Sequence, residues 1–291
     1  MTRFILVLGM WLTVHTAAMA CDACGCSILG QPAGLLSEYR KSFLSIGWSR
    51  SGFNAAPGVG EGSVDMFHTI DLTFRYFITD RLSAGLYQPF RINTRSVGHT
   101  QQTNSGLADT RLNMNYTFFK QDESGSPWEI YLDLGAGFII PTGKYDPHLH
   151  DHNLPENFNP GNGSFGASIL QTTSVSYKSV GLVLKNSWTQ FAETSTGYRF
   201  GSQWSGNLLV FMDLPLDSMS SILPMAGIQV ESVDSDLYAN GINVHGTGGH
   251  GVFVTPGCQF KFKDWLCTFQ YALPLSADYS GGEVKADNRI S

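Results

Sequence analysis

The chain has 291 residues, a formal net charge of −6 and a pI near 5.7, so it offers no basic face to nucleic acid. Only 14% of residues are charged, well under the ~25% of ordinary soluble domains, while 12% are aromatic and 32 are glycine. That balance excludes a disordered chain and is foreign to a soluble enzyme. It suits strands that are apolar on one face and uncharged-polar on the other.

Residues 1–20 read as a secretory signal. Arg3 is followed by the apolar run Phe4–Leu12 and ends in Ala18-Met19-Ala20, an A-x-A cleavage site. The run is too short for a spanning helix, which needs about 20 apolar residues. Export places the rest of the chain where disulfides form.

Residues 21–41 follow as a periplasmic segment carrying Cys21, Cys24 and Cys26. The spacing C-x₂-C-x-C lacks the histidine of a haem attachment site and the fourth ligand of a zinc site. Three soft thiolates suit Cu(I). The rival reading is a lipoprotein signal acylated at Cys21, although Met19 stands where a small residue is preferred. Structural use of Cys24 and Cys26 is the third. A periplasmic metal-handling partner goes with the copper reading.

From residue 42 onward the hydrophobic period is two. "FHTIDLTFRYFITD" sets His68, Ile70, Leu72, Phe74, Tyr76 and Ile78 against Thr69, Asp71, Thr73 and Arg75. "GLADTRLNMNYTFFK" and "WEIYLDLGAGFIIPTG" alternate in the same way, as strands with one buried or lipid face do. The pattern predicts strands at about 42–53, 67–79, 81–93, 106–120, 128–142, 164–178, 180–191, 202–215, 222–232, 251–263 and 264–276, with a weak twelfth in "GGEVKADNRIS". Short connections alternate with long ones at about 54–66, 94–105, 144–162, 192–201 and 233–250. The expectation is an all-β fold, a transmembrane antiparallel up-and-down barrel of about 12 strands over 42–291.

Charges sit on the polar face of these strands: Asp71, Arg75, Arg91, Arg111, Asp133, Lys185, Asp213 and Glu231, with Asp109 beside them. A soluble core would have to bury them in pairs. A membrane barrel turns them into a wet lumen, where they either select solute or satisfy one another. Aromatics near strand ends (Tyr76, Phe77, Phe118, Phe119, Trp128, Trp188, Trp204, Phe211, Trp265) fit interfacial girdles. Cys258 and Cys267 alternate with apolar residues and are expected to face lipid.

The stretches "GLADTRL" at 106–112, "GAGFIIPTGKYD" at 135–146, "GNGSFG" at 161–166, "YRFGSQW" at 198–204 and "FQYALPLS" at 269–276 carry a resemblance. In their order and spacing the chain resembles the outer-membrane barrel family named for the meta-pathway of phenol degradation. Ala108 stands where that family favours glycine, and the sequence stops at Ser291 without the usual aromatic-ended strand. The resemblance implies a bacterial outer-membrane transporter for small solutes, apolar or aromatic ones included. A hydrolase would need a Ser-His-acid set at a strand end, and His68 and His99 show no such pairing in the sequence, so no enzyme is expected.

Two loops are rich in histidine. "HLHDH" supplies His148, His150 and His152, and "HGTGGH" supplies His245 and His250. Imidazoles at alternate positions of an extended loop suit zinc or copper, and the competing reading is polar decoration. Two function classes stand at this stage: a channel for small solutes, and a copper-type metal-handling membrane protein. The expected surroundings are outer-membrane lipid and a small-molecule solute.

Overall fold

The computed structural model describes residues 41–55, 62–122, 126–149 and 154–291. Sixteen strand segments build twelve barrel strands, because four strands are each interrupted once. They are β1 (Phe43–Ala55), β2 (Val64–Phe77), β3 (Leu82–Val97), β4 (Thr100–Leu107 and Thr110–Gln121), β5 (Trp128–Ile140), β6 (Gly166–Tyr177) and β7 (Val180–Phe191). Then come β8 (Gln203–Met212 and Leu214–Pro215), β9 (Ser220–Val233), β10 (Gly249–Val254 and Gly257–Phe262), β11 (Trp265–Tyr279) and β12 (Val284–Ala286 and Arg289–Ile290). Each strand pairs antiparallel with its sequence neighbours.

The barrel closes through β12. One edge pairs with β1 (Phe53↔Ala286, Arg50↔Ile290), the other with β11 (Tyr279↔Val284, Ala272↔Arg289). The protein is a closed 12-stranded antiparallel transmembrane barrel. Closure leaves no exposed sheet edge where strands pair, which is what a bilayer demands of backbone polar groups.

Side chains alternate between two environments. Leu44, Ile46, Ile70, Leu72, Phe74, Ile169, Leu208, Val210 and Ile228 point outward and are exposed. Ile46, at 78% exposure, and Trp265, at 79%, would be untenable on a water-facing surface built this way throughout. Tyr76, Trp128, Tyr177, Phe262 and Trp265 ring the end where the connections are short. Phe138, Phe165, Trp188 and Trp204 lie toward the other end. Cys258 pairs across from Pro224 and Phe269, and Cys267 from Phe260, so both share the outward parity.

The short connections are held locally. β6 passes to β7 through Lys178 and Ser179, with Lys178 in the left-handed region at φ 52°. In the β8–β9 turn the Asp217 carboxylate accepts N–H groups from Met219 at 2.7 Å and Ser220 at 2.8 Å.

Three expectations need correction. The region 94–105 is no long loop: Thr94↔Thr103 and Val97↔Thr100 continue the β3–β4 hairpin to a turn at Gly98-His99. Phe211 is no girdle residue. It is 2% exposed and packs inside the barrel with Val183, Leu209, Leu223 and Met225. Phe77 pairs with Ser83 and shares the inward parity of Arg75, so it also leaves the girdle.

Candidate solute site in the barrel lumen

The β5–β6 connection enters the barrel and fills part of its loop end. Its 3₁₀ turn, Glu156–Phe158, carries Phe158 to zero exposure against inward-facing Phe67. Asn93 and Asn104 donate to the Phe158 carbonyl at 3.0 and 3.2 Å, and the Arg95 guanidinium lies 4.8 Å over the Phe158 ring. Arg95 in turn forms a two-pronged ion pair with Asp65, at 2.8 and 2.6 Å. Leu149 and Leu154 of the same connection join Phe53, Phe67, Phe253 and Tyr279 in one buried cluster.

Asp109 anchors this insertion. It sits where β4 is interrupted, and its carboxylate accepts the backbone N–H of Gly143 at 3.0 Å and of Asn162 at 2.7 Å. Gly143 and Gly161 cross so closely that a Cβ on Gly161 would lie 2.8 Å from the Gly143 Cα. Only glycine permits that approach. The stretches 106–112, 135–146 and 161–166 therefore meet at one point.

A second fixed charge lies on the β9–β12 side. Arg289 makes two 2.7 Å hydrogen bonds to the Glu231 carboxylate, Tyr279 also donates to Glu231, and the Arg289 guanidinium rests 4.0 Å over Phe253. Arg289 is 1% exposed and Glu231 4%. Buried charge is tolerated when its partners are supplied in this way.

Along the wall from β2 to β9 the lumen stays open as a cavity of about 190 Å³. Arg75, Arg111, Asp133 and Lys185 line it, with Tyr87, Asn113, Asn207 and Gln229. Arg75 lies 3.6 Å from Asp133, which also accepts a 2.7 Å bond from Thr117. Arg111 lies over the Tyr87 ring at 5.8 Å. At the loop end Ile139, which also lines the cavity, packs with Phe191, Tyr198, Phe200 and Val244 in one apolar cluster.

The eight charged positions read from the sequence separate into groups. Arg75, Arg111, Asp133 and Lys185 surround the cavity. Glu231 is locked to Arg289 in the filled sector. Asp71 is buried and accepts from Thr73 at 3.2 Å, and Arg91 donates to the Pro160 carbonyl of the inserted connection at 3.3 Å. Asp213 occupies the interruption of β8 near the short-turn end, where its N–H donates to the Ser179 carbonyl. Tyr87 and Asn207 went unremarked in the sequence, although their inward parity follows from Thr73 and Lys185, with which they pair.

Among the candidate metal ligands, Cys21, Cys24, Cys26, His150 and His152 lie outside the described residues. His148 is exposed, and its backbone N–H bonds Asp146 at 2.9 Å. Among the described residues no three His, Cys, Asp or Glu side chains group as metal ligands.

Comparison with known proteins places the fold. An outer-membrane channel from Pseudomonas putida F1 superposes with a TM-score of 0.64 at 14% identity, covering 89% of this chain and 96% of that one. The translocator domain of the autotransporter NalP from Neisseria meningitidis gives 0.41 at 12% identity, covering 85% and 86%. LpxR from Salmonella typhimurium gives 0.39 at 12%, covering 84% and 99%. No family model and no curated protein matches the sequence. At these identities the first likeness speaks to the fold: this chain shares its barrel with an outer-membrane channel.

Proposed function

We propose that the protein is a bacterial outer-membrane channel for small solutes. The observation that carries this reading is a polar cavity, lined by Arg75, Arg111, Asp133 and Lys185, inside a barrel whose outer wall is apolar. Likeness to an outer-membrane channel supports it.

Bilayer insertion follows from the exposed apolar wall between two aromatic rims. The short turns then face the periplasm and the inserted β5–β6 connection faces outward. Solute enters past that connection and the Ile139–Phe191–Tyr198 cluster, meets the charged wall, and leaves at the turn end. Amides such as Asn113 and Asn207 replace water hydrogen bonds during passage. Closure by a hydrogen-bonded segment makes the passage narrow and selective, in contrast to the open lumen of 16–18-stranded porins. The resemblance noted in the sequence adds apolar and aromatic solutes to the substrate class.

Liposome swelling tests the reading. Vesicles holding the purified protein should swell in small neutral solutes and not in large sugars. Swelling no faster than in protein-free vesicles, with correctly folded protein, rules the channel out.

A further inference from the structure

We propose that the lumen cavity beside Arg75, Arg111 and Lys185 is a binding site for a small organic monoanion. This rests on the channel reading and names the class of solute that the lumen holds best.

Three cationic side chains, Arg75, Arg111 and Lys185, line the cavity against one carboxylate, Asp133. Asp133 is committed to Arg75 at 3.6 Å and to Thr117 at 2.7 Å. The neighbouring carboxylates are engaged elsewhere: Asp71 accepts from Thr73 at 3.2 Å, and Asp109 is turned to the backbone N–H groups of Gly143 and Asn162. Lys185 has no carboxylate within ion-pair distance among the described residues and lies close enough to Arg75 to feel its charge. Two like charges held near one another in a low-dielectric wall are relieved by a counter-anion.

The excess is local. The whole chain is acidic at −6, and the other buried cations, Arg95 and Arg289, already hold carboxylates. The cavity wall is therefore positive where the protein is negative, as an anion-recruiting site requires.

Size sets the scale of the ligand. The cavity measures about 190 Å³, below the ~300–1,000 Å³ of drug-sized sites. Leu170 and Leu209 line it beside the polar groups, so a short apolar tail has a place to rest. A carboxylate of a few carbons meets these conditions, its oxygens on the Lys185 ammonium beside Arg75.

The test is a ligand-observed NMR titration of the full-length protein in detergent with butyrate, butyramide and butylammonium at fixed ionic strength. Butyrate should bind about tenfold tighter than butyramide, a difference typical of one charge-assisted contact, with butylammonium weakest. Lys185→Gln should lose that preference, and Lys185→Arg should keep it. Equal binding of the three probes, no binding of butyrate, or butyrate binding unchanged in Lys185→Gln overturns the proposal. Gel mobility of the folded barrel controls for misfolding. Swelling of vesicles in the same solutes separates this inference from the channel reading. Butyrate binding without any swelling upholds the anion site and removes the channel. Equal swelling in all three with no binding preference upholds the channel and removes the site.

Discussion

Asp109 and Asn162 are 53 positions apart in the chain, and the Asp109 carboxylate accepts the Asn162 backbone N–H at 2.7 Å. The same carboxylate holds Gly143, so one side chain at a break in β4 fixes both ends of the segment that fills the barrel mouth. Hydrogen bonds to a charged group contribute about 1.5–3 kcal/mol each. Asp109→Ala should therefore free the insertion while leaving the barrel closed. Hydrogen exchange should rise sharply over residues 154–163 and stay unchanged in β6 and β7. Asp109→Asn, which keeps an acceptor oxygen, should lie between.

The Glu231–Arg289 pair is the other lock, and it joins β9 to the closing strand. Removing one partner leaves a buried charge, at a cost of about 3–5 kcal/mol. Glu231→Gln and Arg289→Met should each lower the thermal midpoint clearly. The double variant should be less damaged than the two single effects added, because no lone charge remains. Strict additivity of the two effects would show that the pair is not coupled.

Glu156, in the inserted turn, titrates near neutrality. Burial pushes its carboxyl up to about 7, with Asp146 and Asp236 adding to the rise and hydrogen bonds from Tyr145 and Asn159 opposing it. A raised native value favours the protonated form. Its contribution to docking is complete below the ordinary value of 4.5 and is lost as pH rises through about 7. With the intrinsic pH dependence of amide exchange divided out, protection of the insertion should be weaker at pH 8 than at pH 5, and Glu156→Gln should flatten that dependence.

The outer wall tolerates no charge. Ile228 pairs with Leu208 and Val254, faces outward and is 48% exposed. Ile228 is mid-strand, and Ile228→Arg should destabilise the barrel in lipid by about 2–4 kcal/mol, the cost of Arg near the bilayer midplane. Asn207→Arg, one strand away but facing the lumen, should cost much less. Urea unfolding in vesicles of defined lipid makes the comparison.

The alternation of Ile70, Leu72 and Phe74 against Asp71, Thr73 and Arg75 was enough to place β2 and its faces, because a strand's side-chain period is two whatever its partners. The same parity put Arg75, Arg111, Asp133 and Lys185 inside. β12 was faint for a physical reason. Gly281-Gly282 precede it and Asp287-Asn288 interrupt it, so two short pieces replace one periodic run. Its Arg289 could not be matched to Glu231 from sequence, since the two are 58 positions apart and neither has a motif. The insertion of the β5–β6 connection was also hidden. Leu149, Leu154 and Phe158 are apolar in a segment otherwise polar and Pro-containing, but only the closed barrel supplies Phe67 and Asn93 to receive them. Phe211 went to the wrong face because nearness to a strand end suggests a girdle, whereas parity with Leu209 sends it inward.

The central claim is that solute crosses the membrane through the cavity beside Lys185 and Asn207. Efflux of a small labelled solute from vesicles tests it directly, comparing the unaltered protein with Asn207→Trp, whose indole would occupy that cavity. The account predicts clear efflux for the unaltered protein and a strong loss for a folded Asn207→Trp barrel. Equal efflux from both, or none from the unaltered protein, would contradict it.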